Sequence, residues 1–206
     1  MVNGYSLIDG QPVLGNITSR VASTVILMGS ALIVTLVFSI PIGILAAIRQ
    51  YSKTDKVITT FATIGYAVPS FLVGIYVLYL GGVVLYQATG FGFPLFGRQT
   101  LGGDGNPLDV SYHLVLPVLS LAIASIAGFS RYVRASMLDV MRQDYVRTAR
   151  AKGADGRRVV GRHALRNALI PVITLIGLFV PGLIAGAVIT EQIFSYPGLG
   201  SLTITA

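Results

Sequence analysis

The chain has 206 residues, 53% hydrophobic and 11% charged, with no cysteine and a formal charge of +7. This composition, with a mean hydropathy of +0.75, belongs to the membrane class; it excludes disulfide staples and thiolate metal sites and leaves the redox compartment undetermined. The positive charge is placed against nucleic-acid binding, since of 15 Lys and Arg three lie at 49–56 and ten at 131–166, beside apolar spans, where the positive-inside rule puts them.

Met1 to Thr18 is polar and lacks the basic start and short apolar core of a signal peptide. The first expected span covers about 21–48, about 42 Å at ~1.5 Å per residue, so it exceeds the ~30 Å hydrocarbon core and must tilt or extend into the interface. Pro41 and Gly43 can kink it. Arg49, Lys53 and Lys56 then mark a cytoplasmic turn.

The second span, about 57–86, opens with a small and polar half containing Thr59, Thr63, Gly65, Tyr66, Pro69 and Ser70. Small residues of this kind serve helix packing in membranes, and a kinked helix can also line a polar pathway. Tyr66, Pro69, Ser70 and Gly74 are the candidates for that pathway. Residues 87–111 carry six glycines and two prolines, the composition of an extracytoplasmic loop.

A third span, about 112–129, ends at Arg131 and Arg134 on the cytoplasmic side. Tyr132, Val133, Met137, Val140 and Met141 continue it as an apolar stripe at helical spacing. The last span, about 169–190, is glycine-rich and reaches Glu191, followed by the turn Pro197-Gly198. Glu191 is expected to cap or snorkel at the interface, or else to meet a cationic group of a solute.

The segment at about 131–168 is where the chain concentrates its charge. Asp144 reads as an N-cap, Arg150 and Lys152 favour a helix C-terminus, and Gly153 is a natural residue beyond it, so 145–152 is expected as a helix. A second start follows at Asp155. A loose basic run would serve anionic headgroups, but two capped helices around a glycine suit a protein cleft.

At Tyr145-Val-Arg-Thr-Ala-Arg-Ala-Lys-Gly153 and Arg162-His-Ala-Leu-Arg-Asn-Ala-Leu-Ile-Pro171 the chain resembles the EAA loop of bacterial ABC importer permeases of the dipeptide/oligopeptide and nickel family. Ala149 stands four residues before Gly153, as the small residue does in that loop. Arg147 and Thr148 replace the common Glu-Ala, and His163 and Arg166 the common Ile and Pro. Pro69-Ser-Phe-Leu-Val-Gly74 and Phe194-Ser-Tyr-Pro-Gly-Leu-Gly200 also resemble stretches of this family. The likeness covers essentially all 206 residues, which are expected to be an internal portion of the usual subunit, with a further helix on either side.

The spans hold no clear ionisable relay and the chain has no Gly-x-x-x-x-Gly-Lys-Ser/Thr phosphate loop, so neither ion coupling nor ATP binding is visible in cis. Drive must come from another protein. An intramembrane enzyme is disfavoured, because His113 and His163 fall on opposite sides and no span pairs carboxylates. A membrane-tethered nucleic-acid binder would have only Tyr132 and Tyr145 for stacking in the basic segment.

The resulting expectation is an all-α polytopic transmembrane bundle, one domain over 1–206, with a cytoplasmic coupling helix–turn–helix. The resemblance implies a multi-pass permease in a bacterial or archaeal cell (inner) membrane. It would move di- or oligopeptides, or alternatively nickel or another small solute; a lipid- or nucleic-acid-binding membrane protein is the distant alternative. Implied partners are cytoplasmic ATP-binding subunits, a different second permease and an extracytoplasmic solute-binding protein, with no cofactor, metal or catalytic residue. Tyr145, Arg147, Thr148, Ala149, Arg150, Lys152, Gly153, His163 and Arg166 are the coupling candidates. Glu191, Pro197 and Gly198 are the candidates for an extracytoplasmic gate.

Overall fold

The computed structural model describes Gly4 and residues 12–103, 105–185 and 187–205; for residues 157, 162–163, 180–185 and 205 it describes the backbone alone. Among the described residues every regular element is helical, as expected of an all-α bundle. Helices α1 (Val13–Ile48), α2 (Lys53–Ala67) and α3 (Ser70–Leu78) come first. A π-helical stretch, Tyr79–Val84, leads into α4 (Leu85–Thr89), and after the loop comes α5 (Pro107–Met141). Then come α6 (Asp144–Ala151), α7 (Gly156–Arg158), a second π-helical stretch (Val159–Ala164) and α8 (Leu165–Ala168). The described chain closes with α9 (Ile170–Ala185), α10 (Val188–Ile193) and α11 (Leu199–Thr205).

Four helical runs are long and apolar enough to cross a membrane: Val13–Ile48, Ser70–Thr89, Pro107–Met141 and Val159–Phe179. The first begins well before the expected Val21. Thr18, Ser19 and Ser23 return their hydroxyls to carbonyls three or four residues earlier, so a polar stretch stays helical without outside partners. The stretch expected as one span at 57–86 is broken at Pro69. Val68 is extended (φ −74°, ψ 126°), the conformation a following proline imposes.

The chain divides into two compact units, one of Met1–Val34, Pro69–Ala122 and Val180–Ala206, the other of Thr35–Val68 and Ile123–Phe179. In the first, Leu27 and Ala31 of α1 pack with Leu114, Leu116 and Val118 of α5 and with Phe194 and Tyr196. Gly82, within the first π-helical stretch, leaves the space that Leu95 fills.

In the second unit Ala47 of α1, Val133 and Met137 of α5, Ala164, Ala168 of α8 and Val172 of α9 form the core. Lipid tails are as apolar as these side chains, so packing and dispersion hold such helices together, and small residues allow close approach. Gly43 shows the closeness: a Cβ there would lie 2.6 Å from Val133 Cβ and 2.7 Å from the Ser130 carbonyl.

Candidate functional site

Helix α6 turns one side inward at Val146. Val146 is completely buried, while Tyr145, Arg147, Thr148, Arg150, Lys152 and Gly153 are exposed. Gln143, not Asp144, is the cap: its carbonyl accepts from the amides of Val146 and Arg147, and no side chain caps the helix. Asp144 is instead the first helical residue, 3.6 Å from Arg147 with both side chains in solvent, a pair worth little. Ala149, a coupling candidate, is half-buried three residues beyond Val146, because helical spacing returns it toward the side of Val146.

The C-terminus of α6 forms a complete Schellman motif. Ala154 N–H donates to the Ala149 carbonyl at 3.1 Å and Gly153 N–H to the Arg150 carbonyl at 3.0 Å, with Gly153 at φ +79°. Tyr145 Oη accepts from Asn167 Nδ2 at 2.8 Å, tying α6 to α8. Arg166 is exposed on α8, and the His163 side chain lies outside the described residues.

Near this segment the structure assembles a charged site that sequence reading missed. Asp55, in the first turn of α2, is 3% exposed and takes a two-pronged contact from Arg134 of α5, Nε at 2.7 Å and Nη2 at 2.8 Å. The Tyr51 amide and the Thr59 hydroxyl also donate to it, and Tyr51 holds the left-handed φ of +64° needed to do so. Asp55 lies in the expected cytoplasmic turn, outside the spans. The Arg134 hydrogen bond, against the opposing effect of burial, holds its carboxyl at about 2. One signal was present in the sequence: Asp55 is the lone acid of an otherwise basic turn.

Arg134 also lines a cavity of about 510 Å³ with Thr59, Tyr66, Gly128, Arg131 and Tyr132. Of the four pathway candidates, Tyr66 alone lies on this cavity, with the Arg131 guanidinium 5.5 Å from its ring centroid. Pro69 and Ser70 are exposed in the other unit. Gly74 is a packing position, where a Cβ would stand 2.9 Å from Ile193 Cδ1 and 3.2 Å from Ser120 Oγ.

Glu191 does not snorkel. It is fully buried, accepting from Thr24 Oγ1 at 2.9 Å and from the Ser201 amide in the first turn of α11 at 2.8 Å. Leu199 N–H donates in turn to Thr24 Oγ1 at 2.8 Å. Its carboxylate thus serves a helix N-terminus, turned inward. Pro197 is half-buried and Gly198 buried, and a Cβ on Gly198 would overlap the Glu191 carboxyl group. Gly198→Ala is therefore expected to dislodge that carboxylate and lower thermal stability in detergent by about 1–3 kcal/mol. An unchanged unfolding temperature would mean the turn yields freely.

Among the described residues no cluster of three or more His, Asp or Glu side chains is placed to hold a metal ion. What the arrangement offers is a basic knob, a cavity with cationic and aromatic walls, and helices able to cross a bilayer. Residues 39–206 match the family described as binding-protein-dependent transport system inner membrane component. The chain belongs to this family.

The chain is 47% identical over 202 residues to the oligopeptide transport system permease protein AppB of Bacillus subtilis (strain 168), covering 98% of this chain and 62% of that protein. Against the dipeptide transport system permease protein DppB of Escherichia coli (strain K12) identity is 39% over 219 residues, covering 98% and 65%. The chain spans a little under two thirds of the length of these relatives. Its fold matches the crystal structure of an amino acid ABC transporter with histidines at a TM-score of 0.59 and 16% identity, covering 93% of this chain and 78% of that one. It is a multi-pass membrane protein.

Proposed function

We propose that the chain is a permease subunit of an ATP-driven importer for di- or oligopeptides. It forms part of the solute path and receives force at α6 from a separate cytoplasmic ATPase. The observation that carries this is the built form of α6, a basic helix held by Val146 at one end and a Schellman turn at the other. A headgroup-binding run needs no such construction. Similarity to oligopeptide and dipeptide permeases supports the solute class. A second permease and an extracytoplasmic solute-binding protein complete the assembly, in a bacterial or archaeal inner membrane.

Absence of native cysteine makes single-cysteine labelling direct. Variants at Ser52 and Asp155 are expected to react only from the cytoplasmic face, and those at Gly102 and Ser201 only from outside. Labelling of Ser201→Cys from the cytoplasm would refute the topology. The activity is tested by uptake of radiolabelled dialanine into vesicles holding the assembled transporter, with and without ATP and binding protein. Uptake independent of ATP would remove the importer reading.

A further inference from the structure

We propose that the cavity lined by Arg131 is a subsite for the carboxylate of a small amphiphilic solute, with Arg131 as its anchor. This deepens the path reading above, resting on it in taking the occupant to be a transported solute.

Charge decides which residue is available. Two guanidinium groups line the cavity, Arg131 and Arg134. Arg134 is committed to Asp55 through two nitrogens. Arg131 has no acid within ion-pair distance among the described residues. Its neighbour is the Tyr66 ring, which attracts a cation but neutralises no charge. Arg131, exposed on the cavity wall, therefore presents a guanidinium without an acid partner, a planar fork suited to a carboxylate. A dianion would leave one charge unmatched beside Asp55.

Shape supplies the rest. At about 510 Å³ the cavity falls in the range of small-molecule sites, roughly 300–1,000 Å³. Through Tyr66, Gly128 and Tyr132 it shares a wall with an apolar cavity of about 390 Å³ lined by Phe129, Leu175 and Phe179. A charged head at Arg131 with an apolar side chain in the adjoining space fits both. A short peptide presenting its C-terminus has this form. A phospholipid headgroup shares the monoanionic oxygens, so the experiment must separate the two.

The assembled transporter without binding protein is placed in phosphatidylcholine nanodiscs, and equilibrium binding of dialanine and dialanine amide is measured. The wild type is expected to prefer the acid by about tenfold or more, the scale of a hydrogen bond to a charged group. Arg131→Gln is expected to lose the preference and Arg131→Lys to keep part of it, each eluting as an intact assembly. No dialanine binding, equal binding of acid and amide, or an undiminished preference in Arg131→Gln overturns the subsite. With phosphatidylglycerol replacing phosphatidylcholine the preference is expected to persist. Its disappearance would assign the site to a headgroup and overturn the solute reading. Uptake distinguishes the two levels. Vesicles that import dialanine although the nanodiscs show no acid preference keep the importer and lose the subsite; an acid preference without uptake keeps the subsite and loses the peptide importer.

Discussion

Gly153→Val is expected to abolish solute uptake and solute-stimulated ATP hydrolysis while the subunit still reaches the membrane. The residue sits at φ +79°, and a Cβ built there meets nothing within 4 Å, so the penalty is conformational rather than steric. A left-handed position costs an L-residue about 1–2 kcal/mol, and a β-branched side chain sharpens it. That suffices to shift the Schellman turn several-fold toward other shapes and to misdirect α7 relative to α6. Gly156 also has open space but no positive φ, so Gly156→Ala is the matched control and is expected to transport normally. Ala149→Glu is expected to lose uptake too, though its half-buried position means that folding of α6 contributes to the loss. Arg147→Ala should be milder, since a rim charge tunes association more than it anchors. Wild-type hydrolysis and uptake in Gly153→Val would show that force enters elsewhere.

The largest stability effect is expected at Arg134→Ala. It strands a buried carboxylate, and breaking such a pair from one side costs on the order of 3–5 kcal/mol. Thermal unfolding in detergent at neutral pH reads this, and a loss under about 1 kcal/mol would mean that water replaces the guanidinium. The double change Asp55→Asn with Arg134→Gln should recover much of the loss, because no unpaired charge is left behind. Asp55 is held at about 2 in the folded chain, below the ~3.9 of a free aspartate. Its contribution is thus complete above about pH 4 and disappears as pH falls through 2. Arg134→Ala should abolish that part of the acid sensitivity.

The number of apolar runs and the α6 segment were legible because each is a local property, whereas the bounds of the runs, Ser70–Thr89 and Val159–Phe179 against the expected 57–86 and 169–190, were not. Hydropathy runs, the glycine after Lys152 and the proline at 69 act over a few residues, and the structure shows a helix, a left-handed turn and a break there. Asp55 meets Arg134 across 79 positions and Glu191 meets Thr24 across 167, so neither partnership has a local trace. Burial of Val146 likewise sets the rotation of α6, which no local signal gives.

The two fixings of α6 have a mechanical consequence. With Val146 buried, Lys152 stands six residues to one side and Tyr145 one residue to the other, about 9 Å against about 1.5 Å along the axis. Both fixings thus lie in the first turn of α6, and on the reading proposed above a push at its exposed basic end would reach α8 through the Tyr145–Asn167 hydrogen bond. Transmission of that kind depends on the Tyr145 link staying attached.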